Sequence, residues 1–94
     1  PVMLVSVSSG INGASPIAEL RAHSFKNSKP VITPEHIIVR NAASMLGETV
    51  GDKHDQDLRA RITFALNMLV QYAHALKPLR AKEGMLDSRF PFGM

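Results

Sequence analysis

The feature that most constrains this 94-residue chain is a long helical period from Leu58 to Lys77. Wound at about 100° per residue, its apolar side chains cover roughly 200° of the helix surface. They form two neighbouring ridges, one of Leu58, Ile62, Leu66, Leu69, Ala73 and Leu76 and the other of Phe64, Met68, Tyr72 and Ala75. A helix that is apolar over so wide an arc needs a partner on each ridge.

A second apolar period follows Thr33-Pro34-Glu35, a pattern that is typical of a helix start. Its apolar positions between Ile38 and Val50 fall on one arc, so we predict a helix over 34–50. We place the long helix at about 55–77, because Pro78 disfavours helical geometry at the residue before it. The sequence therefore predicts a mainly α fold, a helical hairpin of two long helices within residues 34–84.

Residues 1–33 are predicted to hold a short strand, a loop and a short helix. The segment 1–8 is rich in β-branched residues, and Met3, Val5 and Val7 alternate onto one face. With no second strong strand in the sequence, this strand needs a partner, and the same strand of a second subunit is a candidate, because lone edges invite pairing. Ser15 is a candidate N-cap for a short helix that runs to about His23.

Length and composition indicate one small domain that covers 1–94, with 85–94 as a tail without period. The absence of Cys excludes disulfides and thiolate metal sites. No apolar run reaches the roughly 18 residues of a membrane span, so we expect an intracellular, cytoplasmic protein. A chain this short buries only roughly 60–65% of its unfolded surface, and oligomerisation is a common remedy.

The predicted hairpin covers only one ridge of the long helix. We therefore predict a homodimer in which two hairpins form a four-helix arrangement, with Phe64, Met68, Tyr72 and Ala75 at the interface. The alternative is that the short helix and the C-terminal tail cover this ridge within one chain.

The titratable residues show no pattern typical of a catalytic or metal site. The four His residues form no HxxxH or HExxH motif. Asp52, His54, Asp55 and Asp57 are suitable metal-ligand types, but they lack the spacing of a calcium loop. We expect these acids to cap the long helix, with Asp55 or Asp57 as the N-cap. We predict no catalytic residue, no metal ligand and no cofactor.

Pro1 followed by a strand resembles the start of the N-terminal-proline tautomerases, in which the secondary amine acts as a base. The resemblance covers Pro1 to about Val7. It implies a long helix and then a second parallel strand, whereas residues 9–33 are predicted to be loop and short helix, and we find no parallel strand. A Pro1-dependent tautomerase is therefore kept as an alternative function.

The net charge of +3 reflects 11 basic against 8 acidic residues. Arg59 and Lys77 lie on one helix face about 27 Å apart, a spacing that can engage phosphates across a duplex. The candidate anion or nucleic-acid contacts are Arg40, Arg59, Lys77, Arg80 and Lys82. Cations near a helix C-terminus also stabilise the helix without any ligand. We predict a non-catalytic homodimeric binding or regulatory module. The alternatives are a double-stranded nucleic-acid binder and a protein adaptor or chaperone.

Overall fold

The computed structural model describes residues 1–23, 29–82, 87 and 89. Two strands and two α-helices alternate along the described chain. They are β1 (Val2–Val7), α1 (Ala14–Ala22), β2 (Ile32–Val39) and α2 (Lys53–Arg80), with a 3₁₀ turn at Ala42–Ser44. The order is therefore β-α-β followed by one long helix.

The two strands form a parallel sheet with Val5 opposite Ile37 and Val7 opposite Val39. The ladder is irregular near its start, where β2 has two more residues than β1 between the first two pairs. The buried Thr33 hydroxyl lies in this irregularity, 3.3 Å from the Val2 carbonyl oxygen. Pro34 lies there as well, where its missing N–H removes no regular ladder bond.

The helices lie on opposite faces of the sheet, because side chains along a strand alternate between its faces. Leu4 and Ser6 are buried on the face that α1 covers, and α1 buries Ile17 there. Ile37 and Val39 face α2 and form a buried cluster with Ala65. The side chains that pack around this cluster are Met3, Ala42, Met45, Leu58 and Ile62.

The prediction of a mainly α hairpin is wrong. Residues 32–39 form a strand, no α-helix occurs in 34–50, and α2 is the one long helix of the described chain. Ile37, which lies off the predicted apolar arc, is only 2% exposed. The β-branched run Ile37-Ile38-Val39 pairs with β1, because a strand satisfies its backbone groups only against another strand. The predicted boundary between residues 33 and 34 therefore falls inside β2.

The predictions for the remaining elements are closer to the structure. The strand at 1–8 is confirmed as β1, and a short helix follows it, although α1 begins at Ala14 after Gly13 rather than after Ser15. The long helix is confirmed but extends through Pro78 to Arg80. Proline is tolerated there because it lies in the last turn, where few intrahelical bonds follow it. The predicted tail lies outside the described residues, except for Asp87 and Arg89, which form an ion pair.

The helix α2 runs antiparallel to both strands and is longer than they are. Its first turns lie beside Ile38 and Arg40 at the carboxyl end of β2, and Leu76 lies near Pro1 and Val31 at the other end. Its 28 residues span about 42 Å, against about 26 Å for the eight residues of β2. Within the described residues, no helix is both long and apolar enough to cross a membrane.

Gly13, at the start of α1, allows the loop after β1 to pass close to the sheet. Its φ of +121° is one that L side chains rarely adopt, and a Cβ there would lie 2.8 Å from Cγ2 of Ile38. We predict that Gly13→Ala lowers the free energy of unfolding by about 1–3 kcal/mol, measured by chemical denaturation. Gly10→Ala is the matched control, because nothing lies within 4 Å of a Cβ at that position. Equal stability of the two variants would contradict this account of Gly13.

Candidate functional site

The loops that follow β1 and β2 are joined by backbone hydrogen bonds at the carboxyl ends of the strands. The Ser8 N–H donates to the Val39 carbonyl at 2.8 Å, and the Ala42 N–H donates to the Ser8 carbonyl at 3.0 Å. The Asn41 N–H donates to the Gly10 carbonyl at 2.9 Å. Asn41 has a φ of +48°, a left-handed conformation that Asn tolerates better than most residues. The chain therefore leaves β2 in a fixed direction.

A cleft of about 370 Å³ opens beside this turn, between the end of β2 and the first turns of α2. Its walls divide by chemistry. Three half-buried residues, Ile38 at the end of β2 and Met45 and Leu58 on the α2 side, form its apolar lining. The polar part is formed by three exposed residues, which are Arg40, Asn41 and His54. The volume of the cleft lies in the range of small-molecule sites.

Asp55 in the first turn of α2 holds the segment that leads from the cleft into the helix. Asp55 is only 1% exposed. Oδ1 accepts from the Leu46 N–H at 2.6 Å, and Oδ2 accepts from the Gly51 N–H at 2.8 Å and from Nε of Arg59 at 2.8 Å. Arg59 also donates to the Gly47 carbonyl at 2.7 Å. One carboxylate therefore fixes both ends of the segment 46–51 against α2.

The pKa of Asp55 is lowered from its ordinary value of 3.8 to about 2. The largest cause is the hydrogen bond from the Arg59 side chain, followed by those from the Gly51 and Leu46 backbone, and all three favour the charged form. Burial acts in the opposite direction and is outweighed. Asp55 therefore remains an anion in the folded chain at any pH above about 2.

The other acids near the start of α2 have separate structural roles. Asp52 is the N-cap, and its side chain accepts from the Asp55 N–H at 3.1 Å. Asp57 pairs with Lys53 on the surface. The prediction that acids cap this helix is confirmed, but the predicted N-cap, Asp55 or Asp57, is wrong. Within the described ranges, no group of three or more His, Cys, Asp or Glu residues could hold a metal ion.

The predicted anion contacts are spread over the molecule. Arg40 lines the cleft, whereas the Arg59 guanidinium is bonded to Asp55 and Gly47. Lys77 and Arg80 lie at the far end of α2, and Lys82 lies just beyond it. The structure thus separates Arg40 from Lys77, Arg80 and Lys82 and gives Arg59 a structural partner. Nucleic-acid binding through these residues stays a prediction.

The four predicted interface residues all lie on α2, with different exposures. Phe64 is 48% exposed and Ala75 is exposed, whereas Met68 and Tyr72 are half-buried. The α1 helix covers the opposite face of the sheet, so within the described residues it does not cover this ridge, as the single-chain alternative required. The C-terminal tail, the other element of that alternative, lies outside the described residues apart from Asp87 and Arg89.

Pro1 lies at the opposite end of the sheet from the cleft. It borders a smaller hollow of about 100 Å³ together with Val31, Leu76, Leu79 and two basic residues, Lys29 and Arg80. The expectation that no parallel strand follows β1 is wrong, because β2 is parallel to it. The intervening helix α1 has only nine residues, whereas the tautomerase resemblance implies a long one. The tautomerase interpretation stays untested.

Only part of this arrangement could be found from sequence. The charge of Arg40 predicts an anion contact, whereas the sequence presents His54 only as a metal-ligand type and does not single out Asn41 or Met45 as site residues. These residues lie close together because β2 ends at Val39 and α2 then runs back beside it. The signal for this return is the acid-rich segment 52–57, which contains the buried Asp55.

Because the pKa of Asp55 is lower when the chain is folded, its contribution to stability is present above about pH 4 and is lost as the pH falls towards 2. We predict that Asp55→Asn lowers the melting temperature by several degrees at pH 7, since an amide nitrogen cannot accept from the Leu46 or Gly51 N–H. The difference in melting temperature between wild type and variant should become smaller as the pH falls from 4 to 2. Thermal unfolding followed by circular dichroism measures both temperatures.

The matched control for this measurement is Asp57→Asn, because Asp57 forms an exposed ion pair with Lys53. Its effect should stay within about 0.5 kcal/mol at pH 7. An Asp55→Asn variant as stable as the Asp57→Asn control would show that the carboxylate does not hold the segment 46–51.

No protein-family model, no curated protein and no solved structure matches this chain.

Proposed function

We propose that this chain is a non-catalytic, self-associating binding or regulatory module whose homodimer forms through the free edge of β1. The observation that supports it is an apolar edge strand with an uncovered face. Val5 is 51% exposed and Val7 is 66% exposed, although both belong to the sheet. Within the described residues the sheet has two strands, so one edge of β1 has no partner strand.

No other described strand pairs with the outer backbone groups of β1. The N–H groups of Val2 and Ser8 point towards β2, where they bond the carbonyl oxygens of Val31 and Val39. Since backbone groups alternate in direction along a strand, the N–H and carbonyl groups of the odd-numbered residues between them point outwards. The strand Val2–Val7 contains neither charge nor proline, the features that usually protect an exposed edge.

The outer edge of β2 is protected in its first half. Pro34 has no N–H to offer, and its carbonyl accepts a hydrogen bond from the Arg21 guanidinium of α1 at 2.8 Å. Arg21 also donates to the Thr33 carbonyl at 3.0 Å. An added strand would have to displace these contacts, so the β1 edge is the better place for a partner.

The uncovered face of β1 favours a partner that brings its own helix. A helix about 10 Å wide covers about two strands that lie 4.8 Å apart. Here α2 packs chiefly on β2, which leaves Val5 and Val7 without cover on the same face. A second copy that pairs with β1 adds a second α2 to this side of the sheet, and its apolar side chains can cover these valines.

Two-fold symmetry makes a second copy the simplest occupant of this edge. Two β1 strands that pair antiparallel about an axis perpendicular to the sheet give the strand order β2-β1-β1-β2. Both α2 helices then lie on one face of a four-stranded sheet. In this arrangement the exposed Phe64 can contact the partner, as the predicted interface of Phe64, Met68, Tyr72 and Ala75 requires. The predicted four-helix arrangement of two hairpins is wrong, because residues 32–39 form a strand.

The first test places a charge on the edge. We expect the wild-type chain to sediment at twice the mass of one chain at micromolar concentration, and Val5→Lys to sediment as a monomer with retained helical circular dichroism. Val50→Lys is the matched control, because Val50 is exposed and lies far along the chain from β1. A monomeric wild type, or a Val5→Lys variant that remains dimeric, would refute the proposal.

The second test concerns the predicted helix ridge. We expect Phe64→Asp to weaken self-association by about tenfold or more, since a buried carboxylate without a partner is costly at an interface. Leu66→Asp is its control, because Leu66 is similarly exposed but lies on another side of α2. If both variants dimerise as tightly as wild type while Val5→Lys is monomeric, the dimer uses the strand edge without this ridge.

A further inference from the structure

The cleft at the carboxyl end of β2 carries an inference that is separate from self-association. We propose that it binds a small organic anion, with the charged head at Arg40, Asn41 and His54 and an apolar body against Ile38, Met45 and Leu58. The cleft lies beside β2, on the side of the sheet away from the free edge of β1. A ligand and a second copy of the chain can therefore bind independently.

The polar side chains of the cleft have no partner in the described part of the chain. Among the residues that the structure describes, none forms a hydrogen bond or ion pair with the side chain of Arg40, Asn41 or His54. The guanidinium groups of Arg21, Arg59 and Arg61, by contrast, are all bonded within the chain. Three polar groups beside one cleft are thus left to a ligand or to water.

The charges of the residues that line the cleft favour an anionic ligand. No acidic residue lines the cleft, although four aspartates and glutamates of the described chain lie within the segment 48–57. Asp55 is neutralised by Arg59, Asp57 pairs with Lys53, and Asp52 caps the free N–H groups at the start of α2. Arg40 is the one permanently charged residue among those that line the cleft, and its charge favours an anionic ligand.

The position of the cleft in the fold also favours a ligand site. In open α/β sheets, ligands commonly bind outside the carboxyl ends of the strands. The cleft lies at this end, beside the residues that directly follow β2. Its shape is also held in place, because Asp55 fixes the segment after Met45 and the loop bonds fix Asn41.

The apolar lining restricts the class of ligand. Ile38, Met45 and Leu58 leave room for a body larger than a bare oxyanion, and a cleft of about 370 Å³ fits a ring or a short chain. A guanidinium recognises carboxylates and phosphates by the same fork of N–H donors. The expected ligand is therefore a carboxylate or a phosphate monoester that carries an aromatic or aliphatic group.

The experiment is a titration of the isotopically labelled wild-type chain, followed by amide chemical shifts. The probes are phenyl phosphate and benzoate, which differ in the anionic head. We expect saturable shifts confined to residues 38–45 and 54–58 with at least one of these probes, and the tighter of the two identifies the head. Benzyl alcohol, which has no charge, and inorganic phosphate, which has no apolar body, should both bind at least about tenfold more weakly.

The variant Arg40→Gln should weaken binding of the tighter probe by about tenfold or more, and His54→Gln should weaken it less. Arg80→Gln removes the same charge at the far end of α2 and should bind as wild type does. Val5→Lys should also bind as wild type does, so a failed dimer proposal and a failed cleft proposal give different results.

Three outcomes would overturn the proposal. They are the absence of saturable shifts with either probe, shifts that Arg40→Gln and Arg80→Gln reduce equally, and inorganic phosphate that binds as tightly as phenyl phosphate. The second would indicate unspecific attraction to a basic chain, and the third would mean that the apolar lining plays no part.

Discussion

The carboxylate of Asp55 connects the sheet to the long helix. It accepts hydrogen bonds from the Leu46 and Gly51 backbone and from Arg59, so the segment between the strand and the helix has a single path. This path sets where α2 begins, and the start of α2 sets which of its residues reach the sheet. Ala65 then faces Ile37 and Val39 in the buried cluster. A small side chain at that position lets the helix approach the strands closely.

A second constraint is that two strands make a narrow sheet. The described chain has only five fully buried apolar residues, which is a small core for α2 and the sheet together. The valines of β1 and several apolar residues of α2 remain exposed for this reason. The two proposals concern opposite edges of this sheet. Self-association uses the edge of β1, and the anion binds beside β2. The helix α2 borders both regions.

The sequence indicated some of these elements clearly. The strand β1 and the long helix could be predicted, because each has a strong period with one meaning. The sequence after Thr33 is compatible with both a helix and a strand. Pro34 and Glu35 are typical of a helix start, whereas the following Ile and Val residues favour a strand. The segment forms the strand β2 because β1 needs a partner over its whole length. This requirement is tertiary, and local periodicity does not contain it. The cleft could not be predicted for the same reason, as its residues meet only once β2 ends at Val39.

The way in which the contacts are spaced along the chain also affects the order in which they can form. Leu46 and Asp55 are nine positions apart, whereas Val5 and Ile37, which pair across the sheet, are 32 positions apart. Closing the longer loop costs about 1 kcal/mol more in chain entropy. The turn around Asp55 and the first turns of α2 can therefore assemble early and locally, and the parallel pairing of the strands comes later. Until it does, β1 has no partner within its own chain.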